Sequence, residues 1–287
     1  VNYVLPPGVT RIISPDQSQI TQLNEQSISL KVTNLPSKNA RAIYKTSGLD
    51  VRNYERLQMF VHAEKLIDDK TSLKDGEISV FIRVGSDIRS NYYEYEVPLK
   101  LTPEGNYNTY NTNDQEAVWP ESNMIDFPLA LLTEAKKQRN SAKSRGEAGV
   151  SFGNPYSIYD PEKKTNRVTV VGNPSISNME SVVIGIRNNS ATTKDIIVWV
   201  NELRLSGFKQ DGGWGFKADA NLNISDLATI AGGTHIETAG FGGVDQTLNE
   251  RRLEDYYQYN FSFVVDAGRF LPEKAKLKAP LYYSYFE

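Results

Sequence analysis

Residues 256–268 read YYQYNFSFVVDAG. Tyr257, Tyr259, Phe261, Phe263, Val265 and Ala267 fall on one side of a period-two pattern, and Gln258, Asn260, Ser262 and Asp266 on the other. Successive side chains of a β-strand point to opposite faces, so this spacing predicts a strand with one aromatic face and one polar face. The scheme recurs at 214–224, WGFKADANLNI, where Trp214, Phe216, Ala218, Ala220, Leu222 and Ile224 oppose Lys217, Asp219, Asn221 and Asn223. It is weaker in TIAGGTHIETAG, 229–240, which is rich in Gly and Thr. It returns in the closing KAKLKAPLYYSYFE, where Ala275, Leu277, Ala279, Leu281, Tyr283 and Tyr285 oppose Lys274, Lys276, Lys278, Tyr282 and Ser284. Pro280 weakens that last strand, because it has no N–H for the ladder.

Two architectures produce such dyads. A transmembrane barrel strand takes about 9–11 tilted residues, apolar toward lipid, polar toward the lumen, with aromatics near the ends. A second soluble sandwich also alternates. On the barrel reading the lipid-facing candidates are Trp214, Phe216, Leu222, Tyr257, Tyr259, Phe261, Phe263, Leu281, Tyr283 and Tyr285. The lumen-facing candidates are Lys217, Asp219, Asn221, Asn223, Gln258, Asn260, Ser262 and Asp266. The connections 225–228 and Arg269–Lys274 read as short and 241–255 as long. Short turns of such barrels are periplasmic and long loops extracellular, which places 241–255, and with it residues 1–205, outside.

Upstream, strand patterns are dense from residue 54. ERLQMFVHAE (55–64) is followed by the turn Lys74–Asp75–Gly76. EISVFIRVG puts Ile78, Val80, Ile82 and Val84 on one face, and NYYEYEVPLKL puts Tyr93, Tyr95, Val97, Leu99 and Leu101 on one face with Glu94, Glu96 and Lys100 opposite. RVTVVG (167–172), ESVVIGIRN (180–188) and DIIVWVNELRL (195–205) complete the set. Residues 102–125 read as loop. One helix follows, with Asp126 as cap, Pro128 in its first turn, an apolar stripe of Leu129, Leu132 and Ala135, and an end near Asn140. Residues 1–50 read as a connecting segment with turns at Pro6–Pro7–Gly8 and Ser14–Pro15–Asp16 and one strand at SISLKV, 27–32. The expected fold is mainly β: an antiparallel β-sandwich of jelly-roll type with one helix over 51–208, then strands of a transmembrane β-barrel over 212–287.

Composition narrows the chemistry. A net charge of −3 gives no global argument for nucleic acid, and zero cysteines exclude disulfides, Cys–zinc sites and thiol catalysis. No apolar run reaches the ~18 residues of a membrane helix. The opening VNYVLPPGV has neither the basic start nor the apolar centre of a signal peptide, and with the abrupt end it suggests a segment of a longer protein.

No residue combination announces a catalytic, cofactor or metal site. His62 and His235 each lie within a strand pattern, with no second histidine near, so a satisfied or lumen-facing imidazole is the ordinary reading. Nucleophile-elbow, zincin, Walker A and EF-hand patterns are absent. Gly232–Gly233 and Gly242–Gly243 read as bulges or relief of crowding. Glu94 and Glu96 share a solvent face, which suits solubility; with Asp68 and Asp69 they leave a structural Ca²⁺ open without naming its ligands. Tyr92, Tyr93, Tyr95 and Trp199 could stack on sugar, but only Tyr92 points to the polar face; Trp199 aligns with Ile197 and Leu203, which suits core packing. Lys136, Lys137, Arg139, Lys143 and Arg145 read as a solvated helix end, with an acidic surface or lipid head groups as the sharper alternative. Asn201 and Arg204 sit just before the junction and could tie sandwich to barrel.

The phrases NYYEYEVPLKL (91–101), GNPSISNMESVVIGIRN (172–188), VWVNELRLSGF (198–208), HIETAGFGGVDQTLNERRLEDYYQYNF (235–261) and PEKAKLKAPLYYSY (272–285) resemble the SprA (Sov) family, from about Tyr54 to the end. The resemblance implies an internal fraction of an outer-membrane translocon of the type IX secretion system. It implies a very wide barrel passing folded cargo, a PorV-like outer-membrane partner, a periplasmic plug protein, and gliding motility in species that glide. It implies no enzyme activity. A cell-surface carbohydrate-binding or adhesion module is the alternative, and a hydrolase would need two close carboxylates in a cleft.

Overall fold

The computed structural model describes residues 1–10, 25–68, 70–209, 212–225, 227–246, 250–252, 254–272 and 277–287, and only the backbone of Ser47 and Leu49. The turn at Ser14–Pro15–Asp16, Asp69, and Lys274, Ala275 and Lys276 of the expected last strand lie outside the described residues. The chain divides into two compact units, Val1–Phe208 and Lys209–Glu287.

The first unit is a two-layer antiparallel sandwich. One layer has the order β1 (Ile28–Leu35), β10 (Lys194–Ser206), β3 (Arg56–Glu64), β6 (Ile125–Pro128). The other has the order β2 (Ala40–Leu49), β9 (Met179–Asn188), β4 (Ile78–Gly85), β5 (Tyr92–Pro98), β8 (Arg167–Val171), β7 (Tyr156–Tyr159). The alternation explains the layering. Leu57, Met59, Val61 and Ala63 of β3 and Ile196, Val198 and Val200 of β10 bury against Ile78, Val80, Ile82 and Val84 of β4 and Tyr93, Tyr95 and Val97 of β5. Asn201 of β10 pairs with Phe60 and Arg204 with Gln58, so Glu202 and Leu203 oppose a single residue. This is a β-bulge, and Glu202 takes φ 53° there.

Three expectations change. First, residues 1–50 do more than connect: β1 and β2 each form one edge of a sheet. ARAIYKTSGL hid its strand because β2 is an edge with mostly exposed side chains and little apolar alternation. Second, Asp126 and Pro128 do not open the helix. They belong to β6, where Arg56 pairs with Pro128 and Met59 with Ile125, and Pro128 is tolerated because β6 is an edge. The helix, α2, runs Ala130–Ser144 and past Asn140, with Leu132 and Ala135 of the expected stripe fully buried. Third, there is another helix, α1 (Thr112–Val118), in the stretch read as loop. The Asn111 side chain accepts the Asn113 N–H at 2.9 Å and caps it. Its seven residues are too few for a periodic signal.

The second unit is one antiparallel sheet in simple order: β11 (Gly215–Ile224), β12 (Ala228–Glu237), β13 (Tyr256–Asp266), β14 (Pro280–Phe286). Described β14 starts at Pro280, the first residue of an edge strand, where a missing N–H costs least. The β13–β14 connection therefore covers 267–279, not the short Arg269–Lys274 expected.

Candidate functional site

The sheet of the second unit gathers the residues singled out by alternation. Pairing is unbroken from Gly215↔Glu237 to Ile224↔Ala228, from Ala228↔Val265 to Glu237↔Tyr256, and from Asn260↔Phe286 to Asp266↔Pro280. Directly opposed residues of adjacent strands share a face. Phe216, Ile236 and Tyr257 therefore form one row, Leu222, Ile230, Phe263 and Tyr283 another, and Ile224, Ala228, Val265 and Leu281 a third, all on one face. Between them, Phe261 stands opposite Tyr285 and Thr234 opposite Tyr259. Trp214 extends the ladder, exchanging bonds with Thr238. The Phe263 and Tyr283 ring centroids lie 5.7 Å apart.

Every lipid-facing candidate thus falls on one face, and every lumen-facing candidate on the other. Sequence reasoning had missed Ile230, Thr234 and Ile236, because Gly and Thr dilute the β12 pattern; their register with the aromatic strands reveals them. The apolar face is bare. Phe216, Leu222, Tyr257, Leu281 and Tyr283 are each half-exposed or more, and no buried core residue of the described chain lies beyond Val200. Strands of 10, 10, 11 and 7 residues at ~4.8 Å spacing make a face of roughly 600 Å². That is at the upper end of the largest apolar patch of an ordinary monomer.

On the polar face, Lys217, His235 and Gln258 stand in line, as do Asp219, Gly233 and Asn260. The paired glycines make no bulge here. A Cβ at Gly233 would lie 2.6 Å from Asp219 Oδ1 and 2.9 Å from Asn260 Oδ1, so the missing side chain makes room for two polar ones. His235 Nε2 lies 2.9 Å from Glu237 Oε1, and Arg252 of the 238–255 loop donates to the other oxygen of Glu237. The Arg252 guanidinium stacks on Tyr256 at 4.5 Å. Asp266 turns to structural use, accepting from Gly268 N–H at 3.0 Å and Ala279 N–H at 3.1 Å.

Candidates in the sandwich resolve differently. Glu94 and Glu96 are not a solvated pair: both are buried on the outer face of the six-stranded sheet. Glu94 accepts from Arg83 and Arg187 at 2.7 Å each, and Glu96 from Arg167 at 2.5 Å, from Arg187 and from Ser79. The side chains cover one another, which alternation alone does not report. Burial pushes the Glu96 carboxyl up, but the bonds from Ser79 and Arg167 and the charges of Arg187 and Arg167 outweigh it and hold it below the ordinary range.

Tyr93 and Tyr95 are core residues, with hydroxyls donating to the Pro174 carbonyl at 3.1 Å and to Asp160 at 2.7 Å. Burial raises the Tyr93 hydroxyl to about 12. Trp199 is a correction: the main core takes Ile196, Val198 and Val200, and Trp199 packs on the opposite face of its sheet in a second cluster with Tyr3, Phe60, Val118 and Trp119. His62 is fully buried in the same place, its ring 4.1 Å from that of Trp199 and its Nδ1 2.8 Å from the Val118 carbonyl. Tyr92 stacks under the Arg83 guanidinium at 3.8 Å.

The basic run is solvated only in part. Arg139 is fully buried, donates to the Gly172 carbonyl and to Asn140, and lies 4.8 Å from the Phe152 ring, with Lys143 3.6 Å from the same ring. It clamps the 146–155 loop to α2. Asn201 donates to the Tyr3 hydroxyl at 3.1 Å and to Glu25 at 3.0 Å, and Arg204 lies 5.6 Å from the Phe60 ring, all within residues 1–208. Among the described residues no three His, Asp or Glu side chains converge to hold a metal, and no helix is long and apolar enough to cross a membrane.

Fold and surface together define a mainly β protein with an antiparallel sandwich and a separate amphipathic sheet. A family described as "motility related/secretion protein", the SprA N-terminal family, matches residues 1–287, and the chain belongs to it. The match reaches residue 1, beyond the Tyr54 limit of the recognisable phrases. No curated protein matches the chain.

Proposed function

We propose that this chain is part of the outer-membrane translocon of a type IX secretion system. Residues 215–286 supply adjacent strands of its barrel wall, and residues 1–208 form a cap over its mouth. The observation that carries this reading is the sheet of β11–β14: one face that is apolar apart from Gly232 and Thr234, an opposite face that is mainly polar with Val264, Tyr282 and Phe286 toward β14, and, among the described residues, β11 and β14 each paired on one side only. Such a sheet is unfit for water on its apolar side and is completed by further strands on both edges. Ten residues rise ~33 Å along a strand, or about 25 Å at a 40° tilt, which is the height of the apolar band of outer-membrane barrels.

The role is passive and non-enzymatic. The polar face wets the path of exported folded proteins, and other components supply energy and direction. The partners are a PorV-like outer-membrane protein, a periplasmic plug protein, the cargo and outer-membrane lipid. The chain enters β11 at the end of the sheet from which the 238–255 loop leaves. That long loop is extracellular, so the sandwich is on the extracellular side. At the opposite end β11 stops at Ile224 and β12 begins at Ala228, while β13 and β14 are joined through 267–279, which narrows the contrast in loop length.

The test is deletion of the parent gene in the source organism, with proteins of medium and periplasm compared by mass spectrometry. Loss of a whole set of proteins outside, with their accumulation in the periplasm, is expected. An unchanged secreted set with lost attachment or glycan binding would replace this reading by the adhesion module. Against that module, Tyr44 and Tyr159 are exposed on opposite edges of the six-stranded sheet rather than side by side.

A further inference from the structure

We infer that the bilayer band crosses the β11–β14 sheet obliquely, with one boundary running through Trp214, Tyr257, Tyr259 and Tyr285. This rests on the barrel reading above and says where in the wall the lipid begins and ends.

The argument starts from the unequal distribution of aromatics with a polar atom. Trp and Tyr gather where one end of the ring is apolar and the other wet, which in a barrel is the level of the lipid head groups. On the apolar face they are not spread evenly. On β11, Trp214 stands at the end of the sheet nearest the 238–255 loop, one row before Phe216. On β13, Tyr257 and Tyr259 occupy the first and second rows counted from Phe216. On β14, Tyr285 lies a row further, opposite Phe261 and level with Ala220 of β11. The belt therefore steps down the sheet from β11 to β14. At the far end the face is Leu222, Ile224, Ile230, Val265 and Leu281, without a hydroxyl except that of Tyr283.

Strand tilt accounts for the step. Hydrogen-bonded rows run perpendicular to the strands, so strands tilted about 40° carry their rows at the same angle to the membrane plane. Across three spacings of ~4.8 Å, a level line then slips by roughly 12 Å along the strand, or about two rows. The slip from Trp214 to Tyr285 is three rows, or roughly 20 Å, in the same sense and one row more than this estimate. The opposite boundary must slip likewise. On β11 and β12 it falls near the last pair, Ile224 and Ala228. On β13 and β14 it falls beyond the strands, past the turn Ala267–Phe270 that follows β13. Phe270 and Leu271 there are 72% and 46% exposed, and the oblique band gives them a lipid environment.

The test is cysteine substitution in the full-length protein in its native membrane, on a stretch that has no cysteine of its own, read by labelling with a charged maleimide in cells that still secrete. Residues on one row are compared. Ala220→Cys should be protected while Tyr285→Cys reacts. Ile224→Cys should react while Leu281→Cys is protected. The two pairs differ in opposite senses, so a general loosening of the wall cannot imitate the result. Asn221→Cys and Asn260→Cys report the polar face and should react. Equal reactivity within each pair, with Leu222→Cys and Phe263→Cys still protected, would overturn the oblique band and leave the barrel standing. Reaction of Leu222→Cys and Phe263→Cys as fast as Asn221→Cys would remove the barrel reading itself.

Discussion

Arg187 of β9 reaches over the whole of strand β4 to Glu94 of β5, closing an ion pair at 2.7 Å. Its second terminal nitrogen bonds Glu96, and its guanidinium lies 4.7 Å above the Phe81 ring, which is itself buried. Arg83 on β4 approaches the same ring from 5.7 Å and stacks on Tyr92. The outer face of the six-stranded sheet is thus sealed by its own long side chains. Their alkyl stems cover Phe81 and their charges are matched by two carboxylates.

Replacing one member of this network should cost far more than a surface ion pair. Arg187→Met strands two buried carboxylates with one arginine each, and we expect a loss of about 3 kcal/mol. Arg145→Met, which breaks an exposed pair with Glu147, should cost less than ~1 kcal/mol. Urea unfolding of the purified chain reads both. Equal, small effects would mean that the network is ornamental.

Gly185 underlies the same arrangement. A Cβ at this position would lie 2.3 Å from the Phe81 ring and 2.8 Å from Ala42 Cβ. The ring cannot swing away, because the arginines close over it. Gly185→Ala should destabilise by about 1–3 kcal/mol through overpacking, and Phe81→Leu in the same chain should recover part of the loss. Thermal unfolding of single and double variants decides; strict additivity would show that the two sites do not meet.

Much of this fold was legible. The period-two faces of β4, β5, β11 and β13 follow from the chain alone, because each strand gathers its apolar side chains on one side. What alternation cannot report is what covers the other side. Glu94 and Glu96 read as solvated because their partners come from β4, β8 and β9, up to 93 residues away in the pair of Arg187 with Glu94. Arg139 read as a helix-end charge because Gly172 and Phe152 approach it only in three dimensions. Asp126 and Pro128 are good helix-start residues by local preference, and pairing with β3 overrode it. For the candidate site, the faces of β11, β13 and β14 were readable, whereas β12 needed the register.

Two carboxylates, buried Glu96 and half-exposed Asp87, set an acid limit. Glu96 is held below its ordinary value of 4.5 despite burial, and Asp87 is held at about 2 by bonds from Ser90 N–H, the Asn91 amide and Arg89 N–H. A carboxyl with a lowered folded value binds fewer protons folded than unfolded. Its contribution is therefore complete above the unfolded range and is lost as pH falls toward the folded value. The midpoint of thermal unfolding should be flat above pH ~5 and fall between about 4.5 and 2. Glu96→Gln should flatten the upper part of that fall and Asp87→Asn the lower. Parallel curves for wild type and both variants would assign the acid loss elsewhere.

The amphipathic sheet makes the sharpest comparison between neighbours. Leu222 and Asn221 are adjacent in β11 and point to opposite faces. If the apolar face meets lipid, Leu222→Arg places a cation near mid-bilayer, at a cost of about 2–4 kcal/mol. Asn221→Arg places the same cation in a wet lumen and should cost little. Full-length protein carrying Leu222→Arg should be depleted from the outer membrane and secrete poorly, whereas Asn221→Arg should assemble at the wild-type level. A conservative control, Leu222→Phe, should behave as wild type, which separates lipid exposure from general intolerance at the site. Equal assembly of both arginine variants would mean that β11 has water on both faces, and the wall of the proposed barrel would have to be sought in other strands.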